Sequence, residues 1–222
     1  MKLLILFVFI NGFVFSQKKY DTLLVFFNEA FVAPNYTLFS DIGERAGNGK
    51  LGFDFGLKHI FREQKQVYFV YGVEFCFTNS YYDNIYAFKG HGTKEYRNVT
   101  VFNFNISNSF NWRFHFGKSK HFFIETGLLL DFLIYSKVKG EFRYTYGTGK
   151  DFISLNTNYG GPSPSIGLNF GLGYNLFFNN VEVGIKPDIK FNLIPFLLMN
   201  NSYSYFQNFA YSRIVLNFRK LN

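Results

Sequence analysis

The stretch Ser165-Ile166-Gly167-Leu168-Asn169-Phe170-Gly171-Leu172-Gly173-Tyr174-Asn175-Leu176-Phe177 alternates large apolar residues with glycine and asparagine. Successive side chains of a β-strand point to opposite faces, so this period of two describes a ribbon with one apolar face and one small, polar face. Neither face suits an α-helix, whose apolar positions recur at three and four residues.

The beat returns along the chain. Leu51 to Phe61 sets Leu51, Phe53, Phe55 and Leu57 against Gly52, Asp54, Gly56 and Lys58. Val67 to Asn79 sets Val67, Phe69, Tyr71, Val73, Phe75 and Phe77 against Gly72, Glu74, Cys76 and Thr78. Val99 to Phe116 carries Phe102, Phe104, Ile106, Phe110, Trp112, Phe114 and Phe116 opposite Asn103, Asn105, Ser107, Ser109, Asn111, Arg113 and His115. Phe122 to Tyr135, Val181 to Phe191 and about Phe209 to Phe218 repeat it, the last with Ile214, Leu216 and Phe218 facing out. The remaining strand is expected at Thr22 to Val32, where the apolar run Leu23 to Phe27 leaves the faces unassigned.

These segments make eight strands. Their expected connections alternate between short (Arg62 to Gln66, Gly117 to His121, Phe178 to Asn180) and long (Ser40 to Lys50, Ser80 to Asn98, Ser136 to Pro164, Ile194 to Asn208). An even strand number, short turns at one end and long loops at the other describe an up-and-down antiparallel transmembrane β-barrel of the bacterial outer membrane. An eight-stranded barrel has a lumen only wide enough for side chains, so the Phe-rich face belongs outside and the face of Gly, Asn and Ser inside. A lipocalin-like soluble carrier, the opposite arrangement, would overpack its lumen with Phe and Leu.

The ends and the composition agree with export. Lys2, the apolar run Leu3 to Ile10, and small Ser16 before Gln17 form a secretory signal peptide, with cleavage expected after Ser16. Residues 17–222 are then one barrel domain. Aromatic residues are 23% of the chain, with 33 Phe and 16 Tyr, while charged residues are only 17%. That is below the roughly 25% usual for a soluble domain. The lone Cys76 excludes an internal disulfide, and no later apolar run is long enough for a membrane helix. A net charge of +8 is scattered rather than clustered, which favours lipid phosphate over nucleic acid.

On this arrangement Asp54, Lys58, Glu74, Arg113, Glu125, Asp131, Glu182, Lys186, Asp188, Lys190 and Arg213 point inward, with His115. Charges in a narrow lumen must be paired, so they are expected to form a lattice of ion pairs. Girdles are expected from Trp112, Phe114, Phe116, Phe122, Phe177 and Phe178 at one interface. At the other they come from Tyr81, Tyr82, Tyr135, Tyr144, Tyr159, Tyr203 and Tyr205. External lysines and arginines, Lys89, Lys94, Arg97, Lys137, Lys139 and Lys150, can meet lipopolysaccharide phosphates.

Catalytic motifs are not visible. The histidines His59, His91, His115 and His121 form no metal-binding spacing, and Gly147 to Lys150 lacks the full phosphate-loop pattern. His91, flanked by Lys89 and Lys94 and near Ser80, Asp83 and Glu95, is the candidate loop site for the alternative of a lipid A-modifying enzyme. No cofactor is expected.

Phe15-Ser16-Gln17, the run Gly167 to Tyr174 and the final Ile214-Val215-Leu216-Asn217-Phe218 resemble the outer-membrane β-barrel domain family to which the PorT-like proteins belong. Arg219 to Asn222 depart from the aromatic ending common in such barrels. The resemblance implies a small integral outer-membrane protein, in some members linked to secretion machinery. The reading of the residues themselves favours a monomeric barrel in a structural or accessory role, with lipid, lipopolysaccharide or a protein met through the external loops.

Overall fold

A computed structural model describes residues 27–42, 48–61, 66–82, 85–89, 92–117, 120–144, 152–194, 196–200 and 203–220. The strands are β1 (Glu29–Ile42), β2 (Asn48–Phe61), β3 (Val67–Tyr82), β4 (Ile85–Lys89), β5 (Gly92–Phe116), β6 (Phe122–Tyr144), β7 (Ile153–Phe178), β8 (Val181–Asn192), β9 (Phe196–Asn200) and β10 (Tyr203–Lys220). All but the short β4 and β9 are antiparallel neighbours in the order β1-β2-β3-β5-β6-β7-β8-β10, and β10 pairs back onto β1. The chain is a closed eight-stranded transmembrane barrel with no free edge in its wall.

Closure follows from turn chemistry at one end and alternation along the staves. Asn179 takes a positive φ of 46° in the two-residue connection between β7 and β8, a conformation that asparagine tolerates in tight hairpins. Gly117 and Lys120 do the same between β5 and β6. Along β8, Glu182, Gly184, Lys186, Asp188, Lys190 and Asn192 are buried, while Val183, Ile185, Pro187, Ile189 and Phe191 face outward. The polarity is inverted relative to a soluble barrel, which excludes the lipocalin-like arrangement.

Outward rings pack across strands: Phe55 on Phe75 at 5.2 Å, Phe77 on Phe104 at 4.8 Å and Phe122 edge-on to Tyr174 at 4.8 Å. Facing lipid they gain little from leaving water, so their contribution is pair geometry, about 0.5–1.5 kcal/mol each.

Three expectations change. The first strand is Glu29–Ile42 and not Thr22 to Val32; residues 22–26 lie outside the described part. Glu29, Phe31, Ala33, Asn35 and Thr37 are buried while Ala30, Val32, Pro34 and Tyr36 face out. Pro34 has no N–H for a ladder, which is why the stretch does not read as a strand. The pairing with β10 indeed passes from Val32↔Leu216 to Asn35↔Arg213 without registering Ala33 or Pro34.

Secondly, the expected long loops are largely strand. β3 runs to Tyr82 and β5 begins at Gly92, β6 reaches Tyr144, β7 begins at Ile153 and β10 at Tyr203. Beyond the bilayer the outer face of a strand meets water rather than lipid, so pairing continues there without the apolar alternation that marks it in the sequence. The tail is the third change: Arg219 and Lys220 continue β10, Arg219 pointing inward and Lys220 outward.

The glycines of β7 give the lumen room. A Cβ on Gly173 would lie 2.0 Å from the Phe123 ring, which is itself buried and lies 4.8 Å from the Arg113 guanidinium. Gly173→Val should therefore destabilise the barrel by about 1–3 kcal/mol through overpacking. A fall in the urea midpoint in lipid vesicles would show it, and an unchanged midpoint would mean that the ring has another place to go.

Candidate functional site in the lumen and on the external face

The inward parity of each strand brings charged side chains to a common axis. Arg213 of β10 donates from Nε and Nη2 to the two carboxylate oxygens of Asp188, at 2.7 and 3.1 Å. Its Nη1 donates to Asp54 at 2.9 Å and Glu74 at 2.8 Å. Lys190 also donates to Glu74. Lys186 joins Asp188, at 3.0 Å, to Glu125, at 2.7 Å.

Glu125 continues the chain of contacts toward the end with the short turns. It accepts from Lys58 at 3.1 Å and from Arg113 Nε at 2.7 Å, and Arg113 forks onto Glu29 at 2.8 and 2.9 Å. One connected lattice thus draws on β1, β2, β3, β5, β6, β8 and β10, and all its members are buried. β7 supplies no charge but makes space, since a Cβ on Gly171 would meet Lys186 and Asp188 side-chain carbons at 2.6 to 3.0 Å.

The other expected lumen groups sit above and below. Asp131 accepts from Ser107, and Glu182 pairs with Arg219 at 3.3 Å near the β7–β8 turn. His115 is buried, and its Nδ1 hydrogen-bonds to the Lys120 carbonyl at 2.9 Å. Two charged groups of the lumen, one in the lattice and one outside it, are not legible in the sequence. Glu29 lies on the strand whose faces could not be assigned, and Arg219 lies in the tail, although it shares its parity with Arg213, Val215 and Asn217. The lumen also holds apolar bulk, Phe31, Phe123, Leu129, Tyr211 and Val215 among it.

Outside, Trp112, Phe114, Phe116, Phe122, Phe177 and Phe178 are exposed at the end with short turns, where a girdle belongs. From there the paired length of β8, 12 residues, rises about 30 Å at the usual strand rise and tilt, enough for the apolar band. At the opposite interface Tyr81 and Tyr135 face outward, bonded to Asn98 and Asn158. Tyr159 is a correction: it is buried on the lumen side. Tyr82, Tyr144, Tyr203 and Tyr205 lie on strands, with side chains outside the described part.

The loop candidates fare differently. His91 and Lys150 lie outside the described residues, and Lys89 and Lys94 are placed only by backbone, in the β4–β5 hairpin. Arg97, Lys137 and Lys139 belong to strands β5 and β6 rather than to loops. Beside Arg97 stands Glu95, 1% exposed, which sequence reasoning considered only as a neighbour of His91. Among the described residues no group of His, Cys, Asp and Glu is arranged to hold a metal ion.

No family model matches the sequence, and no curated protein does. Among solved structures the chain is similar to Neisserial surface protein A, at 11% identity over 88% of this chain and 96% of that one, with a TM-score of 0.43. It is also similar to the attachment invasion locus protein of Yersinia pestis, at 12% identity, 86% and 98% coverage and a TM-score of 0.38. A major outer membrane protein of Thermus thermophilus matches at 10% identity, 87% and 99% coverage and a TM-score of 0.40.

Removing Arg213 would leave Asp54, Glu74 and Asp188, all fully or almost fully buried, without the cation they share. Arg213→Met should therefore cost about 3–5 kcal/mol of unfolding free energy, whereas Arg219→Met, which takes the partner from Glu182 rather than from three acids, should cost less. Equal losses in urea titrations of the two vesicle-embedded variants would contradict the lattice as a stabilising unit.

Proposed function

We propose that this protein is a monomeric integral barrel of the bacterial outer membrane, exported on a leader comprising residues 1–16, and that it works from its external end rather than through its lumen. The observation that carries this is the buried, cross-barrel lattice centred on Arg213 and Glu125. Eight-stranded lumens are filled by side chains, and open aqueous channels come with many more strands. With the interior occupied and the belt given to lipid, the surface left for recognition is the part of β5, β6 and β7 that rises past Tyr135.

A structural or accessory role in the envelope fits best, with outer-leaflet lipid, lipopolysaccharide or a protein as partner. The resemblance to PorT-like barrels agrees with such a role. Short turns at one end and tall strands at the other favour an orientation with both termini in the periplasm. No arrangement of described side chains favours the lipid A-modifying alternative over this one.

Reconstituted in planar bilayers, the purified chain should give no steady conductance, and in cells it should fractionate with the outer membrane and need detergent for release. A reproducible open channel, or recovery in the aqueous fraction, would overturn the proposal.

A further inference from the structure

The outer face of β5 and β6 carries a preorganised pair of guanidinium groups above the lipid belt. Glu95 is almost fully buried, and each of its carboxylate oxygens takes one arginine: Oε2 accepts from Arg143 Nε at 2.5 Å, and Oε1 lies 3.3 Å from Arg97 Nε. Both guanidinium groups also lie against Phe152, with their carbons 4.1 and 4.7 Å from the ring centroid.

These contacts use only the Nε side of each arginine. Among the described residues no group accepts from the Nη hydrogens, and the side chains remain 43% and 33% exposed. A bulge places the pair on this face. Between Arg97↔Glu141 and Thr100↔Lys139 the strand β5 has one residue more than β6, and Asn98 takes a positive φ of 50° there. Glu95, Arg97 and Arg143 consequently share the face of Lys139 and Lys137, which is continuous with the lipid-facing side.

The two forks, held by one buried carboxylate and an aromatic ring, share their face with Glu141, opposite Arg97, and with Lys139 and Lys137, so that the face as a whole stays positive. Guanidinium forks match the oxygens of phosphate bidentately, and rigid ones lose little entropy on binding. At the usual rise and tilt Arg143 stands about 20 Å beyond Tyr135, above the phosphates at the lipid surface and level with saccharide attached to it. We propose that Arg97 and Arg143 form a clamp for a phosphate monoester on a surface saccharide. This rests on the proposed orientation, with the tall strands outside the cell.

Isothermal titration of the full chain in phosphatidylcholine nanodiscs with glucose 6-phosphate and with glucose tests it. Saturable binding of the phosphorylated sugar alone is expected, weakened about tenfold by Arg97→Gln or Arg143→Gln and unchanged by Lys137→Gln. Glu95→Gln discriminates preorganisation from bulk charge: it adds net positive charge, yet should weaken binding because the forks lose their anchor. No saturable binding, equal binding of glucose, or tighter binding by Glu95→Gln would overturn the clamp. Displacement of glucose 6-phosphate by intact but not dephosphorylated lipopolysaccharide in the disc assigns a membrane source; absence of displacement assigns a soluble one. A failed titration in a non-conducting barrel sinks the clamp alone, whereas a leak sinks the closed-barrel proposal beneath it.

Discussion

A barrel of eight strands encloses room for side chains and little else, and the constraint on this one is that the enclosed charges must find each other. Isolated charge in such an interior would cost several kcal/mol per group. Arg213 and Glu125 meet the constraint by each serving several partners, so that acids and bases from seven strands belong to one set of contacts. Such a set fixes strand register, because a slip by one residue would turn every charge of that strand toward lipid.

The remaining features follow from filling the same narrow space. β7 carries glycines where β6 and β8 send in Phe123, Lys186 and Asp188, and Phe123 in turn lies beside Arg113. Small residues on one stave are thus the complement of large ones on its neighbours. Above the belt the outer face meets water instead of lipid, and the strands can carry arginines there that would be expelled lower down.

Period-two alternation made the barrel legible, as did the parity of Asp54, Glu74 and Asp188, since each sits between apolar neighbours in a stave, and that of Glu125, which alternates with Ile124 and Leu128. Other features left no such trace. The apolar run Leu23 to Phe27 left the faces of the first strand unassigned, so Glu29 stayed hidden, and the strand in fact runs on through Pro34. The upper half of β7 read as loop because glycine, asparagine and serine suit turns as well as strands that no lipid touches, and that of β6 because its outward positions are the charged Lys137, Lys139, Glu141 and Arg143. Partner choice within the lumen depends on register and reach across the barrel: Arg213 and Glu74 are 139 residues apart in sequence. The pair Arg97 and Arg143 was invisible because a single bulge at Asn98 decides which face Arg97 occupies.

If the lumen charges act as one unit, arginines that do not touch must still be coupled. Among the described residues Arg113 and Arg213 are linked through Glu125, Lys186 and Asp188. The most direct measurement is a double-mutant cycle of unfolding free energies in lipid vesicles with Arg113→Met and Arg213→Met. A connected lattice predicts a coupling energy above about 0.5 kcal/mol, whereas additivity within about 0.3 kcal/mol would contradict it and leave two independent ion clusters in its place.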